Sequence, residues 1–171
     1  MYQPFNSGLI IGGAARPRQA KANTTLIVSN TTGSAVIFTL TGSVLVYGLW
    51  GEVTTVLSSN VTAAYVQLHD QTASPDITLA SGVTLSDTPV GSIIFKESLT
   101  AAALVVKSSA AGFFEETTPA GQISMTPFII GKKTGATTTV DFTYSTTNTP
   151  STGVIQWNAL WIPLSADGNL A

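Results

Sequence analysis

The clearest alternation of apolar and polar positions lies near the carboxyl end. Thr138, Val140, Phe142 and Tyr144 share one face of an extended segment, and Thr137, Thr139, Asp141, Thr143 and Ser145 share the other. After the turn-forming stretch 147–153, Ile155, Trp157, Ala159 and Trp161 alternate with Val154, Gln156, Asn158 and Leu160. These two strands are expected to pair antiparallel and to stack their aromatic rings across the ladder. Pro163 should end the second strand or push it to an edge, with turn residues Ser165–Asn169 beyond it.

Upstream, β-branched and aromatic runs recur between turn signals. Thr24–Ser29 and Ala35–Leu40 flank Asn30–Ser34, which predicts a hairpin. Val44–Tyr47 and Val53–Leu57 flank Gly48-Leu-Trp-Gly51, where two glycines permit a bulge or sharp bend. Asn60–His69 alternates with both faces partly covered. The segment from Asp70 to Ser92 carries Pro75, Gly82, Pro89 and Gly91 and reads as a loop-rich crossover. Ile93–Phe95 resumes the sheet, Ala101–Val106 favours a strand over a brief helix, and Gln122–Ile130 supplies another extended run. Ala110–Pro119 is a connector.

The N-terminal stretch, Met1–Ala22, breaks this pattern. It carries Gly12-Gly13 and both arginines of the chain, Arg16 and Arg18, around Pro17. It predicts an extended N-terminal arm (1–22), a tail or a segment ordered against a neighbouring subunit, where arginine forks bind carboxylates. The remaining 23–171 form a single domain, since the part beyond Gly121 alone holds too few strands for an independent core. Nine or ten short strands without a repeated blade or heptad predict an all-β fold: an antiparallel β-sandwich or a jelly-roll-like barrel. A solenoid would need a repeat of ~20–50 residues, which is not found.

Composition sharpens the picture through its polar residues. Thr occurs 26 times and Ser 17 times in 171 residues, whereas charged residues supply only 9%, well below the ~25% typical of globular domains. The polar surface is therefore made largely of hydroxyls, which strand positions accommodate. Seven basic residues and a net charge of -2 argue against direct nucleic-acid binding through a broad basic footprint. No apolar run approaches the ~18 residues of a membrane helix, and the opening Met1-Tyr-Gln-Pro-Phe-Asn6 lacks a signal-peptide pattern. The lack of cysteine excludes disulfides, thiol catalysis and thiolate metal sites.

Candidate chemistry is sparse. His69 is the sole histidine, and Asp70, one strand residue later, points to the opposite face, so the pair does not make an oriented catalytic dyad. Glu115-Glu116 offers carboxylates for calcium or glycoside chemistry, yet Phe113-Phe114 beside it reads equally as an aromatic anchor on a connector. Gly12-Gly13 and Gly131-Lys-Lys-Thr-Gly135 both lack the spacing of phosphate loops; Lys132-Lys133 belongs to a solvated turn. Asn23-Thr-Thr25, Asn30-Thr-Thr32 and Asn60-Val-Thr62 match the glycosylation triplet, which arises readily in a threonine-rich chain. No catalytic residue, cofactor or metal is expected, and an enzyme is disfavoured. The tryptophans Trp157 and Trp161 are expected in the core, Trp50 in the core or at an interface.

The stretches Gly135–Pro150 and Gly153–Ala171 together resemble small β-rich structural proteins of tailed-bacteriophage virions, of the capsid decoration or cement kind. The likeness is carried by these two stretches, with weaker similarity in the Thr- and Ala-rich body. It implies a virion component on the outer capsid surface that binds the major capsid protein and reinforces subunit junctions. It also implies a homo-oligomer, with a trimer among the options. Arg16, Arg18, Phe113 and Phe114 are the candidate assembly contacts. The alternative is a receptor- or carbohydrate-binding module of a tail or fibre, with aromatics and Asn or Asp converging on a shallow groove.

Overall fold

The computed structural model describes residues 16–26, 32–70, 74–78, 82–96, 104–107, 127–146 and 152–171. Among them ten strands are found: β1 (Arg18–Thr25), β2 (Thr32–Thr41), β3 (Ser43–Thr55), β4 (Thr62–His69), β5 (Ile93–Lys96), β6 (Leu104–Lys107), β7 (Phe128–Gly131), β8 (Thr138–Ser145), β9 (Val154–Pro163) and β10 (Asn169–Leu170). They form two antiparallel sheets, one of them strongly curled into a half-barrel. The larger has the order β1-β9-β3-β5-β6, with β7 also pairing β3; the smaller has the order β10-β2-β8-β4. The all-β sandwich expected from the alternation is the fold observed.

Two pairings differ from expectation. β8 and β9 do not form a hairpin: β8 pairs with β2 and β4, and β9 with β1 and β3. Their apolar faces meet across the sandwich, where the rings of Phe142 and Trp157 lie 5.1 Å apart and tilted, while Phe142 stacks on Tyr144 along its own strand. Burying two apolar faces against each other removes more surface from water than leaving them side by side on one sheet. Among the described residues the hairpin expected from Thr24–Ser29 and Ala35–Leu40 is likewise not formed: β1 and β2 belong to different sheets, and residues 27–31 lie outside the described residues. Residues 18–22, expected in the arm, form the first part of β1, with Arg18 opposite Trp161 and Ala22 opposite Trp157.

Val44–Tyr47 and the first three residues of Val53–Leu57 belong to one thirteen-residue strand, β3. A register shift falls between Val46 and Gly48, which inserts Tyr47 as a bulge and bends the strand. Gly51 is required for packing: a Cβ there would stand 2.6 Å from Ile155 Cγ2 and 3.1 Å from the Trp157 ring. Gly42, at a φ of +56°, makes the turn from β2 into β3. Described residues of the crossover after β4 pair along that strand. Ile77 and Thr78 donate backbone hydrogen bonds to Val66, whose own N–H donates to Thr78 Oγ1 at 2.9 Å, and Ala64 and Val83 form a bridge. This run covers an edge that would otherwise present unpaired backbone groups.

The core between the layers is filled by Phe38, Leu40, Val44, Val46, Leu49, Val53, Val66, Val140, Phe142, Tyr144, Ile155, Trp157 and Trp161. Trp157 and Trp161 are core residues, as expected, and Trp50 is half-buried on the outer side. β8 is buried along both faces, including the hydroxyl face expected to meet solvent. It is a central strand of its sheet, so residues of β2 and β4 flank its threonines on both sides.

Candidate interaction surfaces

On the outer face of the six-stranded sheet, cross-strand partners point the same way. The register aligns Ile129 of β7, Leu45 of β3 and Ile162 of β9 in one row across three strands. Ile129 is 67% exposed, Leu45 and Ile162 are half-buried, and exposed Tyr47 and Leu164 each follow a row member two residues on in sequence. Nearby, the face becomes polar: Gln19 Nε2 donates to Asn158 Oδ1 at 3.1 Å, Asn158 Nδ2 to the Gln156 carbonyl at 3.3 Å, and Gln156 Nε2 to Asn23 Oδ1 at 3.4 Å. These amides link β1 to β9 and keep Asn158 satisfied although it is buried.

The outer face of the four-stranded sheet is polar. Its rows are Ser34–Thr143–Tyr65, Val36–Asp141–Gln67 and Thr39–Thr139–His69 across β2, β8 and β4. Ser34 Oγ donates to Asp141 Oδ2 at 3.2 Å, and Thr143 Oγ1 to Ser34 Oγ at 3.4 Å. His69 Nδ1 meets Ser74 Oγ at 2.9 Å, whereas Asp70 pairs with Lys133 at 3.3 Å. The histidine and its neighbouring carboxylate thus have separate partners, as strand alternation requires.

Of the four assembly candidates, Arg16 is exposed just before β1. Arg18 begins β1, with its guanidinium 5.3 Å from the Trp161 ring centroid, a cation–π contact that anchors the edge strand to the core. Phe113, Phe114, Glu115 and Glu116 lie outside the described residues. Sequence reasoning missed the Ile129–Leu45–Ile162 row. Each residue sits in an apolar run, and only the three-strand register makes them neighbours.

Lys96 was also missed. It is 4% exposed, its ammonium lies 5.0 Å from the Phe128 ring centroid, and burial lowers its pKa from 10.5. Among the described residues no three His, Asp or Glu side chains gather as a metal site, and no helix is long and apolar enough to cross a membrane. A small void of about 10 Å³ between the sheets is lined by apolar side chains such as Phe38, Leu49, Ile77 and Val140; it lacks the polar partners that would hold a water. Comparison with protein-family models, curated proteins and solved structures found no match.

Proposed function

We propose that this chain is a structural virion protein of the capsid decoration kind, which binds the major capsid protein on the outer surface of an assembled bacteriophage head. The observation that carries this reading is the apolar row Ile129–Leu45–Ile162 across three paired strands, with Ile129 67% exposed. An apolar row aligned on a charge-poor face suits a protein interface whose core excludes water, and the neighbouring amides suit its polar rim. The likeness of Gly135–Pro150 and Gly153–Ala171 to decoration proteins supports the same reading. Its mechanism is mechanical: a modest contact repeated by symmetry over a shell resists expansion without turnover.

The test is incubation with heads lacking their decoration protein, followed by electron microscopy. Regular density at capsid junctions, lost with Ile129→Asp, is the expected result. Bare capsids at saturating protein refute it. The receptor or glycan-binding alternative draws on the Tyr65, Gln67 and His69 series, half-buried along the polar face, and binding to an array of oligosaccharides tests it.

A further inference from the structure

Among the described residues Asp141 alone of the carboxylates is buried, at 6% exposure. It stands on the outer face of β8 between Val36 and Gln67. Its Oδ2 accepts from Ser34, but its buried Oδ1 has no hydrogen-bond partner. The ion pair among the described residues joins Lys133 to Asp70, not Asp141 to a cation. In a chain with only seven basic and nine acidic residues, the placement of this one demands a physical account. Burying a carboxylate beside one neutral hydroxyl is unfavourable unless a further group compensates the charge. A hydroxyl or water supplies a proton to Oδ1 and leaves the charge. A guanidinium supplies both, and it is the cation that loses least on leaving water.

We propose that Asp141 receives Arg16 from a second copy of this chain. Among the described residues Arg16 is exposed and makes no ion pair, whereas Arg18 is engaged on Trp161. Pro17 fixes the backbone between Arg16 and the strand that Arg18 begins, so the side chain is presented at the end of an edge strand. Asp141 looks outward from the other sheet, and the two groups do not pair with each other within one chain. Their contact joins unlike surfaces of neighbouring copies, head to tail, and such contacts generate rings when the rotation closes. Half-buried Gln67 is the cross-strand partner of Asp141 on β4 and is the side chain that turns aside for the guanidinium to enter.

This deepens the assembly reading and rests on its self-association alone. The experiment uses no capsid, so its failure leaves the capsid test untouched. The full chain is followed by sedimentation velocity over a concentration series. Wild type is expected to self-associate, and Arg16→Gln and Asp141→Asn each to raise the dissociation constant ~30-fold or more, the effect of removing one partner from a desolvated charge pair. Mixing the two variants restores one contact per pair, because one supplies an intact Asp141 and the other an intact Arg16. Arg16 is exposed, so its substitution reads the contact even if Asp141→Asn fails to fold. A wild type monomeric at every concentration overturns the proposal, as does Arg16→Gln associating like wild type or, with both variants folded by circular dichroism, their mixture failing to associate.

Discussion

Trp157 offers a sharp test of the facing-sheet arrangement. It is fully buried, packs against Phe142 from the opposite layer, and its Nε1–H has no acceptor. Trp157→Ala removes ~140 Å³ of side chain; at ~24 cal/mol per Å³ the cavity alone costs ~3 kcal/mol, in line with the ~3–5 kcal/mol usual for Trp→Ala. Trp157→Phe removes only ~40 Å³, or ~1 kcal/mol of cavity. It also deletes a buried unpaired N–H, whose desolvation costs ~1–3 kcal/mol. The two terms offset, so Trp157→Phe is expected within ~1 kcal/mol of wild type. At ~2–4 °C per kcal/mol for a chain of this size, the alanine variant melts ~6–20 °C lower and the phenylalanine variant within ~4 °C. Circular dichroism is the assay, because both substitutions remove a fluorophore. A phenylalanine variant as unstable as the alanine one would show that the indole N–H is satisfied and the account of this core wrong.

Other substitutions probe the backbone and the buried amine. Gly51→Ala forces a Cβ to 2.6 Å from Ile155 Cγ2 and is expected to lose ~1–3 kcal/mol by overpacking; urea unfolding within ~0.5 kcal/mol of wild type refutes the close approach. Ala63 holds a φ of +46° at the irregular start of β4, so Ala63→Gly should stabilise the fold by up to ~1 kcal/mol, read as a higher urea midpoint, since relief of left-handed strain outweighs the added chain entropy. An unchanged or lowered midpoint counts against it. Lys96 has its folded pKa lowered from 10.5 by burial. The unfolded chain therefore binds the extra proton between the folded value and 10.5, and stability from this group rises with pH across that window. Relative to Lys96→Met, wild type should gain stability as pH climbs toward 10.5; parallel stability–pH curves exclude the effect.

Local pattern alone located most strands, because alternation and turn residues act over a few positions. The β8 and β9 stretches, the end of β9 at Pro163, the bulge near Gly48 and the irregular crossover after His69 all follow from neighbours in sequence. The candidate surfaces were legible only in part. Arg16 and Arg18 stood out by composition, whereas nothing local marks Ile129 as exposed or Asp141 as buried. Those properties depend on which strands flank them: a central position in a sheet buries Asp141, and a short strand beside β3 leaves Ile129 bare.

Partner choice was the tertiary structure's decision. An alternating strand specifies which of its faces is apolar but not whether that face is matched by a neighbour in its own sheet or by the opposite layer. The sequence pattern of Phe142 and Trp157 is compatible with either. Burial of both apolar faces decides for opposite layers, where the rings of Phe142 and Trp157 meet. From its own sequence, then, this chain determined an all-β, hydroxyl-coated sandwich. Long-range packing selected the pairs, and with them the apolar row and the recessed carboxylate that give the surface its chemistry.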